Sequence, residues 1–273
     1  MEFYLGTHHP NWLESIDVPL FVSRNRLQHR RSMPRAIGDW ALDSGAFTEV
    51  STFGEWRMTP TQYLKLALRF WDEIGNMNWA APMDWMCEPF MLAKTKKPVE
   101  THIRRTVINY VGLREMCPWF PFIPVIQGFT RDDYMRCIEL YYRYRVELHE
   151  LPLVGVGSVC RRQAMPEIAS MLREISDMGI RIHAFGFKME GVSKCRDFLE
   201  SCDSMAWSFN ARRMQRRWCK DGNHKNCANC SEYALDWRRR LLARSSVQQV
   251  SRPVFPHSHK PVLLSRLQKG LSA

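Results

Sequence analysis

The sequence predicts one (β/α)8 barrel of the TIM type with a C-terminal zinc-binding, basic segment. Three observations lead there. Eight short apolar runs recur along the chain. Amphipathic helical patterns separate most of the later ones. The length, 273 residues, suits one barrel.

The runs that read as strands are Phe3–Gly6, Leu20–Ser23, Trp40–Ser44 and Trp79–Asp84, then Phe122–Gln127, Leu153–Ser158, Arg181–Phe187 and Ser204–Ser208. Leu153–Ser158 is almost continuously apolar or small, as a buried parallel strand should be. Thr59-Pro60 opens a helix running to about Gly75, with Thr59 as N-cap and Pro60 at the first helical position. Further helices cover roughly 98–115, 131–148, 164–178 and 190–201. The first two connections are short. An open doubly wound sheet is the alternative, weakened because no Gly-rich dinucleotide fingerprint or phosphate loop follows any strand. No internal repeat is present. The expected organisation is a barrel over 1–211, a zinc-binding segment and terminal helix over 212–244, and a basic irregular tail over 245–273.

Composition fits a globular protein, with 45% hydrophobic and 25% charged residues. No apolar run reaches membrane-spanning length. The opening MEFYLGTHHPNW lacks the basic flank and apolar core of a signal peptide. A cytosolic setting is expected, with Cys87, Cys117, Cys137, Cys160, Cys195 and Cys202 as reduced thiols. The formal charge is +11, and it is localised. Residues 212–273 hold 14 Lys and Arg against 3 Asp and Glu, whereas 1–211 hold 25 of each sign. With Trp218 and Trp237 among the cations, that quarter reads as a surface for nucleic acid rather than a merely solvated tail.

Barrel enzymes carry their chemistry at the C-terminal ends of strands. Those ends supply Asp43 and Ser44, Asp84, Gln127 and Gly128, and then Gly155, Gly157 and Ser158. One Asp there can simply cap a helix or shape a turn. Two at neighbouring strand ends can divide the work of nucleophile and proton donor. The Gln amide offers a donor and an acceptor to a base edge. His8 and His9 follow the first strand and read as loop residues. Cys219, His224, Cys227 and Cys230, spaced C-x4-H-x2-C-x2-C, can close a tetrahedral zinc site. Four protein ligands leave no open position, so that zinc is structural.

The same strand ends carry a family resemblance. LDSGAF resembles the Asp-Ser-Gly-Gly-aromatic motif of tRNA-guanine transglycosylases. Asp84 in PMDW falls where that family has a guanine-recognising Asp, VIQGF resembles its Val-Gln-Gly segment, and VGVGSV its Gly-Gly-Leu segment. PLFVS, LDSGAF and DSMAWSFNAR look more like the deazapurine-in-DNA A (DpdA) proteins of phages and bacteria. The resemblance implies exchange of guanine in DNA for a 7-deazaguanine such as 7-cyano-7-deazaguanine. It implies a covalent glycosyl-enzyme intermediate and no redox or nucleotide cofactor, and it leaves a helper protein open. Asp43 and Asp84 are then catalytic, and Ser44, Gln127, Gly128, Gly157 and Ser158 hold the base.

Two departures stand out. The tRNA enzymes carry their nucleophilic Asp at the end of strand eight, where an ungapped match puts Ala206, with Arg212 near the family's Arg. Asp203, at the start of the expected strand and about 17 Å below the mouth, reads as structural, so attack falls to Asp43 or Asp84, with Asp43 preferred. The family's zinc His follows its cysteines, which makes His257 or His259 an alternative to His224. The rival readings are base exchange on tRNA, a non-catalytic zinc-stapled nucleic-acid-binding protein and, more distantly, a glycoside hydrolase.

Overall fold

A computed structural model describes residues 1–162, 165–214, 218–219 and 224–247. Eight strands form one curled, parallel sheet: β1 (Glu2–Thr7), β2 (Leu20–Ser23), β3 (Trp40–Asp43), β4 (Met77–Ala80), β5 (Val125–Ile126), β6 (Val154–Val156), β7 (Ile182–Ala184) and β8 (Leu199–Ser204). Their order is β4-β3-β2-β1-β8-β7-β6-β5, so the last strand pairs with the first. The edge strands β4 and β5 approach through one parallel bridge, Ala80 to Phe122. There the Ala80 N–H donates to the Pro121 carbonyl at 3.0 Å, and the Ile123 N–H donates to the Ala80 carbonyl at 3.1 Å.

Helices cover the outside. α1 (Arg24–Leu27) and α2 (Ala46–Phe53) are short. α3 (Pro60–Ile74), α4 (Pro89–Thr95), α5 (Val99–Met116), α6 (Arg131–Arg143), α7 (Pro166–Asp177), α8 (Met189–Cys195), α9 (Ala206–Arg213) and α10 (Ser231–Val247) follow. Capping chemistry places two of them. Thr59 accepts from the Gln62 N–H at 3.2 Å while Gln62 accepts from the Thr59 N–H at 2.9 Å. Thr130 and Asp133 exchange the same pair of bonds at the start of α6. α6 stops at Arg143, short of the expected 148, because Arg145 takes a left-handed φ of 58°. Among the described residues no helix is long and apolar enough to cross a membrane.

Strand alternation divides the core in two. Phe3 and Leu5 of β1 pack outward with the helices, and Tyr4 packs inward with Phe21, Trp79, Ile123 and Leu153. His183 of β7 joins this inner layer, fully buried, its ring 4.5 Å from that of Trp79.

Seven expected strands overlap observed ones, and the eighth is displaced. Residues 199–201, expected to end a helix, begin β8, and residues 206–208, expected to lie in the strand, open α9. The inner face of β8 is polar, with Ser201 and Asp203 both bonding His183. The apolar stretch Met205-Ala206-Trp207 instead starts a helix, and Trp207 is buried with its indole N–H on the Gly6 carbonyl at 2.8 Å. Strand four also ends early, at Ala80, four residues before Asp84.

Each capping box satisfies two otherwise orphaned N–H groups. Thr59→Ala and Thr130→Ala should each lower the unfolding free energy by about 1 kcal/mol, read from urea denaturation midpoints.

Candidate active site

At the C-terminal ends of the strands lies a cavity of about 740 Å³, and Asp43, Asp84, Gln127, Gly157, Ser158 and Asp203 all line it. Asp43 closes β3, and its Oδ1 accepts the Gly45 N–H at 3.1 Å. Ser44 follows. Its Oγ donates to Asp84 Oδ1 at 3.0 Å, and its carbonyl accepts from Arg24 Nε at 3.0 Å. Arg24 is itself buried and paired with Glu49 at 3.0 Å.

Asp84 sits on a stretch, 81–88, that is neither strand nor helix yet buried throughout. Buried backbone needs partners, and side chains supply them. Tyr63 donates to the Ala81 carbonyl at 2.6 Å, Asn109 to that of Met83 at 2.6 Å and Trp56 to that of Asp84 at 3.0 Å. Thr106 accepts the Trp85 N–H at 2.8 Å, His102 Nδ1 meets the Met86 carbonyl at 2.6 Å and Ser158 accepts the Cys87 N–H at 2.8 Å. His102, Thr106 and Asn109 share one face of α5 by their spacing.

Gln127 Nε2 donates to Asp84 Oδ2 at 2.7 Å, and Gln127 Oε1 lies 2.8 Å from Ser158 Oγ. Glu88 Oε2 is also 2.8 Å from that hydroxyl. A Cβ on Gly157 would stand 2.2 Å from Gln127 Nε2, so glycine here makes room for the amide. Gly157 itself lines the cavity. Its N–H donates to the Ile126 carbonyl at 3.0 Å, and its carbonyl accepts from Tyr134 at 2.9 Å. Gly128 does not line the cavity. It abuts the start of α6, where a Cβ would meet the Tyr134 backbone nitrogen at 2.7 Å.

Asp203 is the main correction. It is the penultimate residue of β8 and opens onto the cavity, not some 17 Å beneath it. Its Oδ1 accepts the Gly186 N–H at 2.9 Å and lies 3.4 Å from His183 Nε2. His183 Nδ1 is 2.8 Å from Ser201 Oγ, which fixes the ring. Ala206, matched to the family's nucleophile position, is the first residue of α9.

The carboxylates perturb one another. Burial first, and the charge of Asp43 second, push Asp84 up to about 7. Burial raises Asp43 as well, and Asp203 adds to the rise. His8, expected to be a plain loop residue, also lines the cavity. Its Nε2 lies 2.6 Å from Asn229 Oδ1, and its ring stacks on Trp207 at 6.0 Å. Burial, with a smaller contribution from the charges of His9, Arg26 and Arg212, holds it below the ordinary imidazole value. Arg26, Phe47, Glu88 and Arg161 are among the other lining residues that strand-end reading missed. Of these, Phe47 carried a signal, as the aromatic of LDSGAF.

Beyond α9, one donor atom each from Cys219, His224, Cys227 and Cys230 lies within 4.8 Å of the others, and no disulfide joins the cysteines. Three sulfurs and an imidazole so placed could hold a metal ion. His257 and His259 lie outside the described residues.

The chain belongs to the DpdA family. The family model, DeoxyPurine in DNA protein A, matches residues 1–259. Membership points to a DNA-modifying, transglycosylase-type enzyme whose substrate is DNA. No curated protein matches the chain.

Two outcomes are expected. The folded state holds a proton on Asp84 between the ordinary carboxylate value of 3.8 and about 7. Stability should therefore fall as pH rises through that window, and Asp84→Asn should flatten the slope, read from urea midpoints at its two ends. Gly157→Ala should push Gln127 off Asp84 and weaken base binding while leaving the circular dichroism spectrum unchanged.

Proposed function

We propose that the chain exchanges guanine in DNA for a 7-deazaguanine base through a covalent enzyme–DNA intermediate. One observation carries this reading: three aspartates, Asp43 and Asp203 at strand ends and Asp84 on the buried 81–88 stretch, face one cavity beside Gln127 in a DpdA-family chain. The β4–β5 bridge favours a barrel that closes at that seam.

Asp203 takes the attacking role in place of Asp43. Two donors engage its Oδ1, which orients the carboxylate on a rigid strand end. Guanine stacked in a duplex is out of reach, so the nucleotide enters extruded or single-stranded. A carboxylate oxygen of Asp203 bonds to the sugar anomeric carbon as the glycosidic C–N bond breaks, and the leaving base takes a proton from Asp43. Burial and the Asp203 charge favour the protonated form of Asp43. In the second half, Asp43 removes a proton from the incoming base, whose nitrogen displaces Asp203. Two inversions retain the configuration. Asp84 accepts N–H groups of the base edge. Ser44 and Gln127 orient it and leave further lone pairs open. Ser158 acts by bracing Gln127.

The Cys219, His224, Cys227, Cys230 set suits a structural zinc ion, the ordinary occupant of a Cys3His site. It would join the basic segment to the base pocket.

The test is a denaturing gel of protein incubated with guanine-containing DNA, with mass spectrometry of digested DNA from cells supplied with 7-deazaguanine. Wild type should give an adduct and modified DNA. Asp203→Asn should give neither, and Asp43→Asn should slow both by about 10² or more. An undiminished adduct from Asp203→Asn would overturn the assignment.

A further inference from the structure

We propose that the exposed face of α9 is a track for the DNA strand beside the extruded guanine; this rests on the base-exchange reading above. Met205, Phe209 and Arg213 follow one another at four-residue spacing, so they form one stripe. The stripe begins at the base pocket, because Met205 lines the cavity. Met205 is 44% and Phe209 57% exposed, while Trp207, Ser208 and Ala211 bury the opposite face. Exposed apolar side chains of this size need a reason when they stand in line at the lip of a site.

Charge selects the occupant. The Arg213 guanidinium lies 5.7 Å from the Phe209 ring centroid, and Arg212 and Arg213 are both exposed. Arg26 stands on the cavity wall. The stripe leads into the quarter of the chain that holds 14 Lys and Arg against 3 acidic residues. A flat ring face beside a cation is what unpaired nucleotides use, base on ring and phosphate on guanidinium. Eight residues of helix span about 12 Å, the length of three or so stacked nucleotides at about 3.4 Å each. A protein partner would not require the cations, and a membrane surface would not require the stripe to start at the pocket.

The experiment uses the full chain and a short fluorescein-labelled single strand with one guanine. Phe209→Ala should weaken strand binding about tenfold. Arg213→Ala should weaken it and make it less steeply salt-dependent. Affinity for free 7-deazaguanine and the melting temperature should not change. Removing the base next to the guanine should erase the difference between wild type and Phe209→Ala. Equal strand affinity in wild type and both variants overturns the track. So does a fall in melting temperature for Phe209→Ala combined with tighter DNA binding after removal of 248–273, since the chain's own tail then covers the stripe. Phe209-dependent strand binding without any adduct would sink base exchange and leave the track standing. An adduct that forms with no dependence on Phe209 would do the reverse.

Discussion

The site depends on one constraint: residues 81–88 must stay buried without belonging to a strand or helix. Irregular backbone normally runs over the surface because its polar groups need water. Here six side chains from the α2–α3 connection, α3, α5 and the end of β6 take the place of that water. Each bond contributes on the order of 1 kcal/mol when made, and leaving a buried partner unpaired costs more than that. The set therefore behaves as a unit. It fixes Asp84 some distance past the end of its strand, under the pocket, where Ser44 and Gln127 reach it from either side. Without the loop the three groups would sit on separate strand ends with nothing to make them converge.

Convergence has an electrostatic consequence. Two unit charges about 4 Å apart at an effective dielectric of about 20 interact by about 4 kcal/mol, equivalent to some three pKa units. Three carboxylates around one cavity cannot all ionise without help, and the nearest buried cation is already engaged, since Arg24 is held by Glu49 and Asn25 and by the Ser44 carbonyl. Burial first, and the neighbouring carboxylate after it, favour the protonated forms, so Asp43 and Asp84 both rise. A pocket with a proton to give on one carboxylate and lone pairs to offer on another suits a base that must be protonated to leave and recognised through its N–H edge. The same imbalance makes the empty pocket a cost to stability above neutral pH.

Much of this was legible in the sequence. The strand-end positions of Asp43 and Gln127 follow from apolar runs that stop at a polar residue, and the capped starts of α3 and α6 from Thr-x-x-Gln and Thr-x-x-Asp. The grouping of Cys219, His224, Cys227 and Cys230 was legible from spacing alone. Asp203 was not, because the inner face of its strand is polar and the neighbouring apolar run belongs to the start of α9. The irregular 81–88 loop was also hidden. Its partners are scattered over separate elements, and even the His102, Thr106 and Asn109 face of α5 looks like a lapse in amphipathicity until the loop they serve is known. What Gly128 and Gly157 make room for was hidden too, since the space beside them is taken by the start of α6 and by Gln127.

The Cys/His cluster gains its meaning from the same geometry. Its central turn holds Ala228, whose carbonyl accepts from Ser208 at 2.8 Å, and Asn229, which meets His8. Ser208 lies on the buried face of α9, and His8 stacks on Trp207 of the same helix. Trp207 in turn holds the carbonyl of Gly6 on β1. The cluster thus grips α9 and the end of β1 together, and Gly6 and Thr7 of β1 line the cavity with Met205, the residue just before α9. A metal ion there would do no chemistry, yet it would set where α9 begins and so where the pocket lip stands. That makes the segment after β8 part of the site's architecture rather than an appendage.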